Sequence, residues 1–167
     1  MDRLFVLGLG YSGLAIARAA QAEGIAVAGS VTTAEKAAEL ARACIEAAIY
    51  DGTRPLAIEA SHVVCTAADP RLPEFRGTQW IGYLSTTGVY GDHAGGWVDE
   101  LTPPTPMQPR SAQRLETERK WQALGGPVAV LRLPGIYGPG RSAIDQVRAG
   151  TARLIDKPGQ FFSRIHV

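Results

Sequence analysis

The sequence predicts an α/β fold: a doubly wound parallel sheet with helices on both faces. Two observations carry that prediction. Short runs such as "RLFVLG", "SHVVCTA" and "PVAVLRLP" are almost wholly apolar, as strands buried on both faces must be. Between several of them lie segments with apolar residues at helical spacing, the alternation of a sheet covered by crossover helices.

The elements follow in order. "RLFVLG" (3–8) is a strand that ends at a glycine. "YSGLAIARAAQAEG" (11–24) is a helix that stops at Gly24, a good residue for the left-handed position after a helix. "IAVAGS" (25–30) is a second strand, and "TAEKAAELARAC" (33–44) a helix with Thr33 as N-cap. Strands three, four and five are "IEAAIYD" (45–51), "SHVVCTA" (61–67) and "QWIGYLST" (79–86). "SAQRLETERKWQALG" (111–125) is rich in strong helix formers and leads into a sixth strand, "PVAVLRLP" (127–134). "SAIDQVRAG" (142–150) is a short helix. Two places break the rhythm. Between strands four and five only "ADPRLPEFRGT" (68–78) is available, with two prolines and little room for a helical crossover. The chain also stops at "FFSRIHV" (161–167), which reads as the entry to another element. The expectation at both places is that segments of a longer chain are missing.

Bulk properties narrow the class. A chain of 167 residues fits one domain, 1–167, with a real core. The 17 basic and 16 acidic side chains are mixed and leave a net charge of +1, so there is no electrostatic case for nucleic acid or an anionic membrane. Cys44 and Cys65 stand among apolar residues and are expected to be buried, reduced thiols, and no CxxC spacing suggests a metal. The first strand leaves no room for a signal peptide, and no apolar run is long enough to span a bilayer. A soluble cytoplasmic protein with a small-molecule substrate is expected.

The glycine loop is the first chemical signal. "GLGYSG" sets Gly8, Gly10 and Gly13 directly after the first strand, at the opening of the first helix. That strand–turn–helix context makes the spacing a dinucleotide-binding signal in a Rossmann-type sheet. Gly8 permits the tight turn, Gly10 lets backbone approach a pyrophosphate, and Gly13 lets the helix lie close to the sheet. Tyr11 and Ser12 lie within the loop and join the cofactor-binding candidates. At the end of the second strand "GSVTTAEK" offers Ser30, Thr32 and Thr33, with Lys36 a turn later, and no carboxylate to repel a 2′-phosphate. NADP is therefore favoured over NAD, with Thr32 as a contact. For Lys36 an ordinary solvated helix charge is the preferred reading.

With "YLSTTGVYGD" ending strand five, "RLETE" in the next helix and "LRLPGIYGPGR" after strand six, the chain resembles the extended short-chain dehydrogenase/reductases. Within them it resembles the NAD(P)-dependent epimerase/dehydratase group, which includes nucleotide-sugar epimerases, and its GxGxxG form resembles the group's atypical members. The resemblance covers residues 3 to 167 apart from 68–78. It implies a catalytic hydroxyl at Thr86, with Ser85 just before it, and gives Pro134 and Gly135 a place beside the nicotinamide. Thr87 reads as strand-end capping. The family's tyrosine and lysine pair is absent. Matching K-L-x-x-E to Arg114, Leu115 and Glu118 puts Arg110 at the tyrosine position and Arg114 at the lysine position, near the ribose. Arg110 cannot act as acid or base, because guanidinium keeps its charge. Tyr90 and His93 are the proton-donor candidates nearby; the plainer readings are a Tyr90 ring packed in its loop and an exposed loop histidine with no role. Tyr137 can touch substrate or anchor its turn, and Arg141 reads as solvated.

Two functions follow. One is an NAD(P)-dependent epimerase/dehydratase or reductase acting on a nucleotide-sugar-like or small carbonyl substrate. The other is an NAD(P)-binding protein without turnover, a redox sensor or scaffold. The downstream motifs argue against S-adenosylmethionine as ligand. Dimers in the family leave pairing with a second copy open.

Overall fold

The computed structural model describes residues 3–154, 156–159 and 161–167. The chain divides into two compact units. Unit 1 is Met1–Ser85 with Glu116–Leu131, and unit 2 is Thr86–Leu115 with Arg132–Val167.

Unit 1 is organised by a parallel sheet. Its strands are β1 (Arg3–Leu7), β2 (Ala26–Val31), β3 (Glu46–Ile49), β5 (His62–Cys65), β7 (Trp80–Thr86) and β8 (Val128–Leu133), in the order β3-β2-β1-β5-β7-β8. β1 pairs in parallel with β2 and β5, β2 with β3, and β5 with β7. The chain first builds outward from β1 to β3, then restarts on the other side of β1 with β5. That reversal opens a crevice at the carboxyl ends of β1 and β5, where ligands of such sheets bind.

Helices α1 (Tyr11–Ala22) and α2 (Ala34–Arg42) take their ends from local chemistry. At the end of α1, Gly24 adopts φ 74°. There the Gly24 amide donates to the Gln21 carbonyl at 2.9 Å and the Ile25 amide to the Ala20 carbonyl at 3.0 Å. These two bonds satisfy carbonyls the helix leaves open. Thr33 caps α2 by accepting from the Lys36 amide at 3.3 Å. After α2 the same left-handed position falls on Cys44, at φ 57°. The expectation of two buried thiols is corrected here: Cys65 is buried, but Cys44 is exposed, and neither forms a disulfide. Its apolar neighbour Ile45 turns inward at 2% exposure, leaving Cys44 at the outside of the bend.

The crossover from β5 to β7 contains no helix. Instead β6 (Glu74–Arg76) pairs in parallel with β4 (Ala57–Glu59), a two-stranded sheet the sequence pattern does not announce. The core of unit 1 gathers Phe5, Leu7, Ile58, Val63, Tyr83 and Trp121 among others. Trp121, on helix α3 (Pro109–Gln122), stacks on Tyr83 with ring centres 5.7 Å apart. Removing a buried aromatic of this kind costs about 3–5 kcal/mol in measured cores.

Unit 2 contains a 3-10 turn at Thr87–Tyr90, β9 (Gly135–Tyr137), α4 (Ala143–Arg148) and β10 (Arg164–His166), with β9 and β10 paired in parallel. Helix α4 starts in a capping box between Ser142 and Asp145. Among the described residues, no helix is long and apolar enough to cross a membrane.

Candidate functional site

In unit 1 the glycine loop is fixed from three sides. Gly8 has φ 102°, which a side chain would resist. Its amide donates to Ser30 Oγ at 3.0 Å, and its carbonyl accepts from the Thr66 hydroxyl at 2.5 Å. The Leu9 amide donates to the Ser30 carbonyl at 2.7 Å. Ser30 is thus used to hold the loop onto β2. Thr66, just past β5, was not singled out by the sequence pattern, because its role exists only once β5 lies beside β1.

The other two glycines play opposite parts. A methyl group at Gly13 would overlap the Gly8 carbonyl oxygen, so the helix packs against the loop with no room to spare. At Gly10 a methyl group would meet nothing within 4 Å. Gly10 is the N-cap of α1; it supplies no side-chain acceptor, and the first turn, which includes Tyr11 and Ser12, carries no acidic residue. An anion there would receive amide donors and the positive end of the helix.

Next to the loop lies a cavity of about 210 Å³, lined by residues at the carboxyl ends of β1, β2, β3 and β5. Gly8, Ser30, Thr32, Tyr50, Asp51, Asp69 and Arg71 are among them. Asp51 accepts from the Thr53 amide at 2.9 Å and hydroxyl at 2.6 Å, and these bonds hold its carboxyl below the usual Asp range. Asp69 accepts from the Thr117 hydroxyl at 3.0 Å and lies 3.7 Å from Lys120 Nζ. The Tyr50 hydroxyl donates to the Arg71 carbonyl at 2.8 Å. Burial pushes the Tyr50 phenol up, with the Arg71 charge pulling against it. Lys36 is directed away from any such role, since its ammonium pairs with Glu39 at 2.7 Å.

The hydroxyls that end β7 divide between the units. Ser85 belongs to unit 1, is 6% exposed, and donates to Glu118 Oε1 at 2.5 Å, with Glu118 itself 1% exposed. Thr86 opens unit 2 and caps the 3-10 turn by accepting from the Gly88 amide at 3.1 Å. That bond uses an oxygen lone pair and leaves the hydroxyl proton available to a ligand.

Unit 2 has its own cavity of about 750 Å³. Thr86, Tyr90, His93, Gly135, Phe161 and Arg164 are among the residues lining it. The Tyr90 ring is 6% exposed and lies beneath the Arg132 guanidinium, 4.8 Å from its centre. His93 Nε2 is 3.1 Å from the Tyr90 carbonyl, which orients the imidazole. Arg110 is exposed on the first turn of α3, Arg114 is half-buried on the same helix, and Pro134 and Gly135 follow β8. A methyl group at Gly135 would stand 2.8 Å from Arg164 Nη1, so that guanidinium packs on bare backbone. Tyr137 meets His166 edge to face at 5.3 Å, anchoring β9 to β10.

Among solved structures, a functionally unknown conserved protein from Silicibacter pomeroyi DSS is 36% identical, with a TM-score of 0.84 over 99% of this chain and 64% of its own. A Methylobacillus flagellatus structure with the provisional description NAD-dependent epimerase/dehydratase is 24% identical, with a TM-score of 0.69 over 99% of this chain and 65% of its own. A UDP-glucose 4-epimerase from Thermus thermophilus, solved with NAD, is 21% identical, with a TM-score of 0.64 over 85% of this chain and 58% of its own. The chain therefore spans less than two thirds of the length of each. No family model and no curated protein matches the sequence. The chain has the Rossmann-type fold of the NAD-dependent epimerase/dehydratase structures.

Proposed function

We propose that this chain is the nucleotide-binding part of an NAD(P)-dependent epimerase/dehydratase- or reductase-type protein. Its substrate on this reading is nucleotide-sugar-like or a small carbonyl compound. The observation that carries the reading is the contrast between two glycines of one loop. Gly13 has no room for a side chain because the fold needs the contact, while Gly10 faces open space at an uncapped helix start. Space of that kind beside amide donors suits the two phosphates of a dinucleotide. The loop of Gly8, Gly10, Tyr11, Ser12 and Gly13 would hold the pyrophosphate, and Thr32 the adenosine ribose. Arg114, Pro134 and Gly135 are proposed contacts of the nicotinamide half. NADP is favoured over NAD because no carboxylate ends β2.

A bound nicotinamide supplies a hydride donor or acceptor. Thr86 would donate its hydroxyl proton to the substrate oxygen on which charge develops. Ser85 would support the strand end through Glu118. Tyr90 and His93, which line a cavity with Thr86, are the proposed proton donors. Two cysteines outside any disulfide fit a reducing, cytoplasmic setting.

One observation favours a second reading, a dinucleotide-binding sensor or scaffold without turnover. Arg110 is an exposed guanidinium where the family motif would put its tyrosine, and it can neither donate nor accept a proton at neutral pH.

Fluorescence titration of the full chain with NADPH and NADH tests the first half of the proposal. Saturable binding of either supports it, and Gly10→Val should abolish that binding by sterics. Binding of neither overturns it. A carbonyl-substrate screen then separates the two readings. Under the enzyme reading, Thr86→Val removes turnover while dinucleotide affinity stays within about 2-fold.

A further inference from the structure

We propose that Arg71 is the residue that selects the cofactor, by clamping the 2′-phosphate of NADP(H) at the mouth of the unit 1 cavity. The inference rests on the nucleotide reading above and deepens it. It assigns the selection to the β5–β7 crossover, a segment the glycine-loop motif does not include.

The argument is a census of the charges around that cavity. Two carboxylates line it, and each has donors of its own. Asp51 takes two bonds from Thr53, and Asp69 is held by Thr117 and Lys120. Arg71 is the cation among the lining residues, and it makes no ion pair among the described residues. Its backbone is nonetheless anchored, because its carbonyl accepts the Tyr50 hydroxyl at 2.8 Å. The side chain therefore starts from a fixed point and carries an exposed guanidinium. Lys36, on α2, is already paired with Glu39.

The polar groups at the end of β2 complete the case. A ribose with a free 2′-hydroxyl is recognised by a carboxylate there, and a 2′-phosphate is accommodated by a nearby arginine. This chain has Ser30, Val31 and Thr32 at that place, and the Ser30 hydroxyl already accepts from Gly8. Thr32 shares the cavity lining with Arg71, so a phosphate beside Thr32 has a guanidinium on the opposing loop. A planar fork of donors binds a phosphate through two parallel bonds, and no carboxylate stands at the end of β2 beside Thr32 to oppose it.

The test is a competition between cofactors on the full chain. NADPH and NADH are titrated by fluorescence into the wild type, Arg71→Ala, Arg71→Lys and Lys36→Ala, with urea midpoints as a check on folding. The wild type should bind NADPH about 10- to 100-fold tighter than NADH. Arg71→Ala should remove most of that difference by weakening NADPH alone, Arg71→Lys should keep part of it, and Lys36→Ala should keep all of it. Equal binding of both by the wild type overturns the proposal. So does an equal loss of both in Arg71→Ala, which would make Arg71 a stacking partner of the adenine instead. Loss of the preference in Lys36→Ala would move the clamp to α2. If the folded wild type binds neither dinucleotide, the nucleotide reading itself falls, and Arg71 with it.

Discussion

At the scale of the residue, Gly13 and Gly10 separate folding from binding. A methyl group at Gly13 would press on the Gly8 carbonyl oxygen and stand 3.1 Å from Val6 Cγ1, both parts of the loop's own support. Gly13→Ala should therefore lower the denaturation midpoint, by about 1–3 kcal/mol in stability. Nucleotide binding should weaken with it, because the loop must shift. Gly10→Ala meets nothing in the protein, so its midpoint should stay within about 0.5 kcal/mol after allowance for backbone entropy. An unchanged midpoint for Gly13→Ala would show that the helix does not lie on the loop as described. The sequence announced these glycines because their spacing is itself the signal. It did not announce the bond from Thr66 to Gly8 or the bond from Ser85 to Glu118. Each joins residues distant in the chain, and a single sequence carries no record of that proximity.

At the scale of the element, the helix ends repay comparison. α1 and α2 close in the same way: the Ile45 amide donates to the Leu40 carbonyl at 3.0 Å as Ile25 does to Ala20. The difference is that the left-handed residue is Gly24 in one and Cys44 in the other. A side chain at such φ is strained, and Cys44 is exposed, so nothing in the core needs its sulfur. Cys44→Gly should stabilise the chain by about 0.5–1 kcal/mol in urea denaturation, with the far-UV spectrum unchanged. A loss of stability would mean that the thiol has a packing role its exposure hides. Elements were legible where the local signal is strong: among the described residues the six strands of the main sheet follow apolar runs, α1 follows helical apolar spacing, and α3 is rich in helix formers. β4 and β6 were not, because three-residue strands are too short to show a period. Cys44 misled for a related reason, since apolar neighbours in sequence do not bury a residue that sits on the outside of a turn.

At the scale of the whole molecule, acid should act on both units together. Asp51 and Glu35 in unit 1 and Asp99 in unit 2 all have carboxyls held below their ordinary values by hydrogen bonds. The donors to Asp51 are the hydroxyl and amide of Thr53; for Glu35 its own amide leads, followed by Thr33. For Asp99 they are led by the Thr102 hydroxyl, with the Leu101 and Thr102 amides. The sign follows from linkage. A carboxyl depressed in the folded state binds fewer protons there than in the unfolded chain. Its contribution is complete above the unfolded value and is lost as pH falls through the folded one. The urea midpoint should therefore be flat from about pH 7 to pH 5 and fall below about pH 4. All three groups are exposed, so each effect is small and screened by salt. Thr102→Val should flatten the acid limb, because Asp99 then loses its largest source of depression. Thr53→Val should do the same through Asp51, and as Asp51 lines the unit 1 cavity it should also make any nucleotide affinity more sensitive to acid. An acid limb unchanged in both variants would mean that these loops are not held by their carboxylates. A midpoint that already declines between pH 7 and pH 5 would point to a different titrating group in the fold.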